Sequence, residues 1–133
     1  MYLLDTNVWI DFLRRKRNSE RIKTNLDKLP RSQIRLCSIV KAELLVGAEK
    51  SDRRLKNLAD LYTLFSQYDS LDFDDSAAEE YSKICADLER RGRSISNVDL
   101  MIAAIALVHG LIVVTHNTID FDDIPGIQLE DWQ

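Results

Sequence analysis

Four carboxylates in this chain occupy positions where acidic side chains could work together. Each borders an apolar stretch: Asp5 follows residues 2–4, Glu43 comes after residues 34–37, Asp99 precedes residues 100–108, and Asp120 comes after residues 111–114. In a parallel α/β sheet, ligands collect outside the carboxyl ends of the strands. Carboxylates gathered there repel one another, and a bound cation is the simplest way to hold them together. The pattern therefore predicts a site for a divalent cation.

Two of these acids also have an ordinary structural interpretation. Asp5 stands before a predicted helix, where aspartate is an excellent N-cap. Asp99 comes three positions after Ser96, which is the spacing of a capping box. Residues 100–108, however, form a run that is apolar almost all round, which predicts a central helix. A lone acid at the start of such a helix is expensive to bury, and this favours a shared site.

Glu43 has a weaker structural explanation. On a helix it shares a face with Ile39, Val46 and Gly47, so packing of that face would carry the carboxylate partly inward. No Lys or Arg lies three or four residues away to pair with it, and a buried charge needs a partner. The alternative is that Glu43 is simply exposed.

The fourth acid is the hardest to choose from the residues alone. Asp120, Asp122 and Asp123 are all available after the last strongly apolar stretch, and any of them could belong to a solvated loop. Asn117 adds a further polar side chain to the same predicted loop.

Short strands alternate with helices, which predicts an α/β fold with a mainly parallel central sheet flanked by helices on both faces. The predicted strands are residues 2–4, 34–37, 71–73, 111–115 and 127–129, and the predicted helices are 8–13, 19–29, 38–50, 52–65, 74–91 and 98–108. We expect Ser38 to cap the third helix, Ser51 or Asp52 to cap the fourth, and Gly92 to end the fifth in a left-handed conformation. A length of 133 residues predicts one domain over 1–133.

The bulk charge gives little attraction to nucleic acid, since the formal net charge is −4. Cations are nevertheless clustered, at residues 14–17, at Lys50, Arg53, Arg54 and Lys56, and at Arg90, Arg91 and Arg93. Each cluster could be a solvated helix end. Three of them beside an acidic pocket favour binding of backbone phosphates.

Neither cysteine has the spacing of a zinc or redox motif, so Cys37 and Cys85 are interpreted as reduced, buried thiols. The apolar start of the chain is too short for a signal peptide, and no stretch approaches the ~20 apolar residues of a membrane span. These features predict a soluble, cytoplasmic protein without membrane association.

The motifs, in their order, resemble those of the PIN-domain ribonucleases, and in particular the VapC-type toxins of toxin–antitoxin pairs. The resemblance covers essentially the whole chain and is carried by residues 4–7, 38–44, 47–49, 92–95, 99–104, 113–117, 120–121 and 130–132. The last segment and the Gly92-Arg93 loop look most like the subgroup that cleaves initiator tRNA in its anticodon stem-loop. His116 departs from the Asn or Arg of close relatives, but it is not a proposed ligand.

The resemblance implies a three-layer PIN-like fold and a metal site formed by Asp5, Glu43, Asp99 and Asp120. It also implies four supporting residues that order the carboxylates or bound water, which are Thr6, Asn7, Thr115 and Asn117. The expected cofactor is Mg²⁺, with Mn²⁺ as a possible substitute. With two ions, roughly 3.5–4 Å apart, Asp5 would bridge them, Glu43 and Asp99 would complete the main site, and Asp120 would hold the second ion or orient water.

The expected reaction is hydrolysis of RNA phosphodiester bonds, with tRNA as the expected substrate. The partners implied by the resemblance are a VapB-type antitoxin that blocks the acidic pocket and a second copy of the chain. The homodimer could use the apolar stripe Leu55, Leu58, Tyr62 and Phe65, although core packing is the default explanation for such a stripe.

Three other classes fit less well. A haloacid-dehalogenase-like phosphatase needs a second acid where Asn7 stands, and a receiver-type signalling domain expects a late Lys, whereas no Lys follows residue 110. A non-catalytic RNA-binding or scaffold version of the same fold is the strongest alternative. The intact set of four acids favours the enzyme over that alternative.

Overall fold

The computed structural model describes all residues from Met1 to Gln133. Its strands are β1 (Tyr2–Leu4), β2 (Ile34–Cys37), β3 (Asp69–Leu71), β4 (Ile112–Val114) and β5 (Gln128–Glu130). Its helices are α1 (Thr6–Leu13), α2 (Ser19–Lys28), α3 (Ser38–Glu49), α4 (Arg54–Phe65), α5 (Asp75–Arg90), α6 (Asn97–His109) and α7 (Thr118–Asp122). A single 3₁₀ turn at Arg31–Gln33 leads into β2.

The five strands form one sheet in the order β3-β2-β1-β4-β5, and every neighbouring pair is parallel. In the register of the central pairs, Leu4 lies opposite Val114 and Leu3 opposite Arg35. Parallel strands need crossover connections, which the helices supply. Because all five strands run the same way, β1, β2 and β4 end at the same edge of the sheet. The predicted α/β class with a parallel sheet is confirmed.

One apolar core of 28 buried residues joins the sheet to the helices. Leu3 and Leu4 in β1 are fully buried, and so is the whole stretch Ile102–Ala106 in α6. The buried surroundings of α6 explain why its sequence is apolar on almost every side. Gly110 ends this helix at φ +65°, a left-handed conformation in which glycine avoids the steric penalty of a Cβ atom. None of the seven helices combines the length and the apolar character that crossing a membrane requires.

Two of the predicted helix starts are wrong in detail. Cys37, not Ser38, is the N-cap of α3, and the Ser38 hydroxyl instead accepts a hydrogen bond of 3.1 Å from the Phe73 amide. The cap of α4 is Arg53, without any side-chain capping bond, rather than Ser51 or Asp52. The Ser51 hydroxyl donates back to the Ala48 carbonyl at 2.7 Å, so it closes α3 rather than opening α4. These serines satisfy other backbone groups, an option that short polar side chains always have.

Candidate active site

Asp5 stands at the carboxyl end of the central strand β1 and is 5% exposed. It is the N-cap of α1, and its Oδ1 accepts a hydrogen bond of 2.7 Å from the Thr6 amide. Its Oδ2 accepts a second bond of 3.0 Å from the Thr115 hydroxyl. Burial raises the pKa of Asp5 above its usual range, the two hydrogen bonds oppose that rise, and the charge of Glu43 adds to it. Asp5 therefore caps α1 and also belongs to the group of neighbouring carboxylates.

Thr115 directly follows β4 and connects Asp5, at the end of β1, to Asn117. Its fully buried hydroxyl donates to Asp5 and accepts a bond of 3.0 Å from the Asn117 amide. The Asn117 side-chain amide in turn donates to the Asp120 carboxylate at 3.1 Å. A continuous series of hydrogen bonds thus runs from Asp5 to Asp120.

Glu43 is exposed, so the expectation of a partly buried carboxylate on a packed face is wrong. The face that it shares with Val46 and Gly47 is open, and Val46 is 51% exposed. Its Oε1 accepts a hydrogen bond of 2.5 Å from the hydroxyl of Thr6. Thr6 therefore holds two acids at once, Asp5 through its amide and Glu43 through its side chain. The face of α3 that carries Glu43 therefore opens towards Thr6 and Asp5 rather than into the core.

Asp99 lies in the first turn of α6 and is partly buried. The capping box is not formed, since the Ser96 side chain makes no capping bond. Asp99 has neither a hydrogen bond nor an ion pair. Burial, followed by the charges of Asp5, Glu43 and Asp120, raises its pKa to about 6. The charges of the other three carboxylates therefore act on Asp99, so all four predicted acids lie in one region.

The structure also distinguishes the three candidate acids near residue 120. They lie in or beside the short helix α7 rather than in a loop, which corrects the prediction for this segment. Asp123 forms an ion pair with Arg93, and its carbonyl accepts a bond of 2.6 Å from Arg91. Asp122 is exposed to solvent. Only Asp120 adds its charge to the surroundings of Asp99.

Other side chains near the acids contribute unequally. Of the four supporting residues, Thr6, Thr115 and Asn117 bond to the carboxylates directly, whereas the Asn7 side chain is exposed and makes no hydrogen bond. His116 contacts Asp131 at 3.1 Å, and it touches none of the four acids.

Cys37 also lies near the acids, although its spacing in the sequence does not predict a role there. It is fully buried at the end of β2, and burial raises the pKa of its thiol to about 11, with smaller contributions from the charges of Asp5 and Glu43. The thiol is therefore neutral at pH 7 and adds no further negative charge. The signal in the sequence was its place at a strand end, directly before the helix that carries Glu43.

The acidic group has no internal counter-charge. None of the seven ion pairs in the structure includes Asp5, Glu43, Asp99 or Asp120. No three of the His, Cys, Asp and Glu side chains converge at metal-ligand spacing, so the acids form an open group rather than a closed set. Mutual repulsion favours such spreading. Carboxylate oxygens are nevertheless the ligands that Mg²⁺ and Mn²⁺ prefer, so the donor chemistry fits a hard divalent cation.

Comparison with known proteins agrees with this geometry. The PIN domain family model matches residues 2–127. The chain belongs to the PIN-domain family. This PIN domain is 39% identical over 131 residues to the tRNA(fMet)-specific endonuclease VapC of Shigella flexneri, a match covering 98% of this chain and 97% of the relative. It is 40% identical to the protein of the same name from Salmonella typhimurium strain LT2, again covering 98% and 97%.

A solved structure gives the same result for the fold. The DNA-bound VapBC of Salmonella typhimurium matches this PIN domain with a TM-score of 0.92 and 39% identity, covering 99% of this chain and 98% of that chain. The predicted resemblance to PIN-domain proteins of the VapC type is therefore confirmed, and so is the three-layer PIN-like fold.

Proposed function

We propose that this PIN domain is a metal-dependent endoribonuclease that hydrolyses phosphodiester bonds of RNA, as a toxin neutralised by a cognate antitoxin. The observation that carries the proposal is the state of Asp99. It is partly buried, has no hydrogen-bond or ion-pair partner, and has a pKa raised to about 6 by burial and by three other carboxylates. A group left in that condition is a candidate for a functional site. Relatives named tRNA(fMet)-specific endonuclease and ribonuclease support the same reaction.

Mg²⁺ is the proposed cofactor, with Mn²⁺ as a substitute, and Asp5, Glu43 and Asp99 are its proposed main ligands. Asp120 is proposed to help hold a second ion or to orient water. When bound, the cation neutralises charge on the phosphate and makes water a stronger nucleophile. Four carboxylates without a basic partner support this choice.

The chain itself contributes order and charge at this site. The Thr6 amide and the Thr115 hydroxyl fix both oxygens of Asp5, and the Thr6 hydroxyl fixes one oxygen of Glu43. Ligands held in this way need little rearrangement to bind. Asp99 remains free to turn towards the ion or the attacking water. Since its pKa is about 6, it is mainly ionised at pH 7 and above.

The test is cleavage of defined RNA by the purified protein. Initiator tRNA, bulk tRNA and an mRNA are incubated with Mg²⁺ or with EDTA, and products are resolved on denaturing gels. We expect cleavage with Mg²⁺, none with EDTA, and none from Asp99→Asn. Asp122→Asn is the matched control, because Asp122 is an exposed acid on the same short helix as Asp120. Equal cleavage by Asp99→Asn and by the wild-type protein would contradict the assignment.

The second candidate is a non-catalytic RNA-binding protein of the same fold. It predicts that the RNA is bound without being cut, whichever metal is present. The cleavage gel and a binding assay on the same samples separate the two functions.

Initiator tRNA is the proposed substrate, because the two VapC relatives are named for tRNA(fMet). Mapping of the cleaved ends tests this, and cleavage in the anticodon stem-loop is the expected result. Preferential cleavage of mRNA would contradict the proposed tRNA substrate and leave the proposed endoribonuclease reaction unchanged.

The proposed partner is a VapB-type antitoxin. The VapBC structure from Salmonella typhimurium supports it, since this chain matches the VapC fold over nearly its whole length. The test is co-purification of the chain with the product of a small neighbouring reading frame, and loss of cleavage in the complex. A complex that cleaves RNA as well as the free chain would contradict the toxin–antitoxin proposal.

A homodimer is also proposed, through the exposed part of α4. Leu55 is 76% exposed and Tyr62 is 61% exposed, whereas Leu58 and Phe65 are partly buried against the core. The stripe thus divides into an inner and an outer pair, and only the outer pair is free for an interface. Light scattering tests this, with a shift to monomer expected for the double variant Leu55→Gln, Tyr62→Gln.

A further inference from the structure

A cleft of about 250 Å³ opens directly beside Glu43. The end of α1, the exposed face of α3 and the start of α4 form its walls, and its lining includes Leu13, Arg14, Gly47 and Lys56. A proposed metal ligand and two cationic side chains therefore share one cleft. Its negative end alone would repel RNA, because both carry negative charge.

Two of the three arginines at the end of α5 are engaged within the protein, and the third, Arg90, is exposed but does not line the cleft beside Glu43. Arg91 contacts the Asp87 carboxylate at 2.8 Å and donates to the Asp123 carbonyl at 2.6 Å. Arg93 forms an ion pair with the Asp123 side chain. These two guanidinium groups fasten the end of α7 to the segment before α6. Their role in the structure is internal.

The cluster between α3 and α4 is divided: Lys50 and Arg53 are exposed without an acidic partner but do not line the cleft, whereas the other two cations are paired. Arg54 pairs with Glu49 at 2.5 Å, and Lys56 pairs with Asp60 at 2.8 Å. The cationic group of Lys56 in the cleft is therefore already engaged with an acid.

The turn between α1 and α2 has more unpaired cations than either of these clusters. We call residues 14–18 the basic turn. Arg14, Arg15 and Arg17 are exposed and have no acidic partner, and only Lys16 is paired, with Asp11 at 3.4 Å. Arg15 adopts φ +51°, an uncommon conformation for a residue other than glycine. Three unpaired guanidinium groups thus concentrate within four residues.

The basic turn is also continuous with the acidic group. Arg14 lines the cleft that contains Glu43, and Arg15 lines a neighbouring cleft of about 450 Å³. Leu13 lines both clefts, so they meet at the end of α1. Arg14 and Arg15 therefore lie along a route that leads outward from the proposed metal ligand Glu43, and Glu20 is the one acid in the lining of the second cleft.

We infer that the basic turn binds the RNA backbone phosphates that flank the scissile bond, with Arg14 nearest the carboxylates and Arg15 and Arg17 further out. This inference rests on the proposed ribonuclease function and adds a substrate path to it. Guanidinium groups suit the role because they bind phosphate oxygens through two parallel hydrogen bonds. With a net charge of −4, the protein needs local cations to draw a polyanion to an acidic site.

The test is the salt dependence of RNA binding. The turn variant is Arg14→Gln, Arg15→Asn, Arg17→Gln, with asparagine at position 15 because it tolerates positive φ. The matched control is Lys28→Gln, Lys83→Gln, Arg90→Gln, which removes the same charge from exposed cations outside both clefts. Both carry Asp99→Asn to prevent cleavage, and fluorescein-labelled initiator tRNA is titrated by anisotropy at several NaCl concentrations.

The turn variant is expected to weaken binding at least tenfold at 0.1 M NaCl. Because each neutralised phosphate contributes about 0.7 to the slope of log K against log salt in single-stranded RNA, three lost contacts should flatten the slope by about 2. The control should change Kd by less than about threefold. In the cleaving background, the turn variant should raise KM with little change in kcat, the signature of lost uniform binding. A version with Lys at all three positions should recover the slope.

Equal weakening by the turn and control variants would overturn the inference, because only total charge would then matter. An unchanged RNA slope together with lost antitoxin binding would also overturn it, in favour of an acidic protein partner on this turn. The outcomes separate from those of the proposed function. Wild-type protein that binds tRNA through the turn without cutting it would keep the inference and remove the nuclease function, whereas cleavage with an unchanged slope would do the reverse.

Discussion

The two halves of the carboxylate group are held in different ways. We call Asp5 and Glu43 the fixed half, because three hydrogen bonds from Thr6 and Thr115 hold them. We call Asp99 and Asp120 the open half. Asp99 has no hydrogen bond, and Asp120 accepts one of 3.1 Å from the side-chain amide of Asn117. Both halves carry the same chemical group, so the difference lies in their surroundings.

In the fixed half, hydrogen bonds to Asp5 oppose the rise in pKa that burial causes, whereas Asp99 in the open half has no such bond. Asp99 stands in the first turn of α6, where the helix dipole favours a negative charge by about 0.3–1 kcal/mol. Burial, followed by the charges of Asp5, Glu43 and Asp120, nevertheless raises its pKa to about 6. Desolvation and the neighbouring carboxylates therefore outweigh the helix dipole. Burial and repulsion both act on Asp99 without an opposing hydrogen bond, and a bound cation would offset them.

The largest expected effect is loss of cleavage on neutralising Asp5 in the fixed half or Asp99 in the open half. Asp5→Asn and Asp99→Asn should each reduce kcat/KM on the order of 10³-fold or more, since a metal site contributes several kcal/mol to such reactions. Single-turnover cleavage of initiator tRNA with Mg²⁺ measures this. Unchanged circular dichroism spectra are the control for folding. A fully active Asp99→Asn would show that the open half is not part of the reaction.

The next effect concerns how the fixed half is held. Thr115→Val keeps the shape of this fully buried side chain but removes the donor to Asp5 and the acceptor for the Asn117 amide. Loss of such supporting bonds typically lowers metal affinity or activity by 10–100-fold, and we expect a drop of about that size. Thr115→Ser, which keeps the hydroxyl, should stay near wild type. Equal activity of the Val and Ser variants would mean that the bond to Asp5 does not position it.

The ionised carboxylate of Asp99 should destabilise the metal-free protein. Because the pKa of Asp99 is higher in the folded state than the usual 3.8, the folded protein binds the proton more tightly than the unfolded chain. Stability is then lost as pH rises from about 4 to about 6, and the loss is complete above that range. Asp99→Asn removes this penalty and should stabilise the protein at pH 7.5 by roughly 1–2 kcal/mol, after allowance for partial exposure.

Urea unfolding in EDTA at pH 4.0 and pH 7.5 measures that effect. The gain from Asp99→Asn should be present at pH 7.5 and nearly absent at pH 4.0, where wild-type Asp99 is mostly protonated. Mg²⁺ should reduce the difference by stabilising the wild type more than the variant. A variant less stable than wild type at pH 7.5 would contradict the unbalanced charge inferred for the open half.

The fold could be predicted from the sequence because its signals are local and repeated. Apolar runs of strand length alternate with amphipathic helices. This pattern predicts the α/β class, the five strands and six of the seven helices to within a few residues, as in residues 2–4 and 34–37, but not the short helix α7. Helix caps could not be predicted in the same way. Ser38 and Ser96 fit capping patterns, yet the Ser38 hydroxyl accepts from a residue 35 positions away, and the Ser96 side chain makes no cap. Such choices depend on tertiary neighbours.

The site shows the same limit. The sequence singled out Asp5, Glu43 and Asp99 as acids beside apolar runs, but it gave the wrong exposure for Glu43, because helical periodicity does not say which face packs. It could not choose among Asp120, Asp122 and Asp123, since only the fold pairs Asp123 with Arg93. The three basic clusters likewise look equivalent in sequence, and only the structure shows which arginines lack acidic partners.

The smallest expected effect concerns Asp120 in the open half. The charge of Asp120 acts on Asp99, and one hydrogen bond from the Asn117 side-chain amide holds its carboxylate. Asp120→Asn should therefore raise the Mg²⁺ concentration for half-maximal cleavage by only about tenfold or less, as expected for one ligand of a weaker second ion. Asp122→Asn should leave it unchanged. Asp123→Asn should lower stability slightly, through its ion pair with Arg93, without a specific change in the Mg²⁺ requirement. A Mg²⁺ requirement that moves equally for Asp120→Asn and Asp122→Asn would restrict the open half to Asp99, because general acidity of α7 would then account for both.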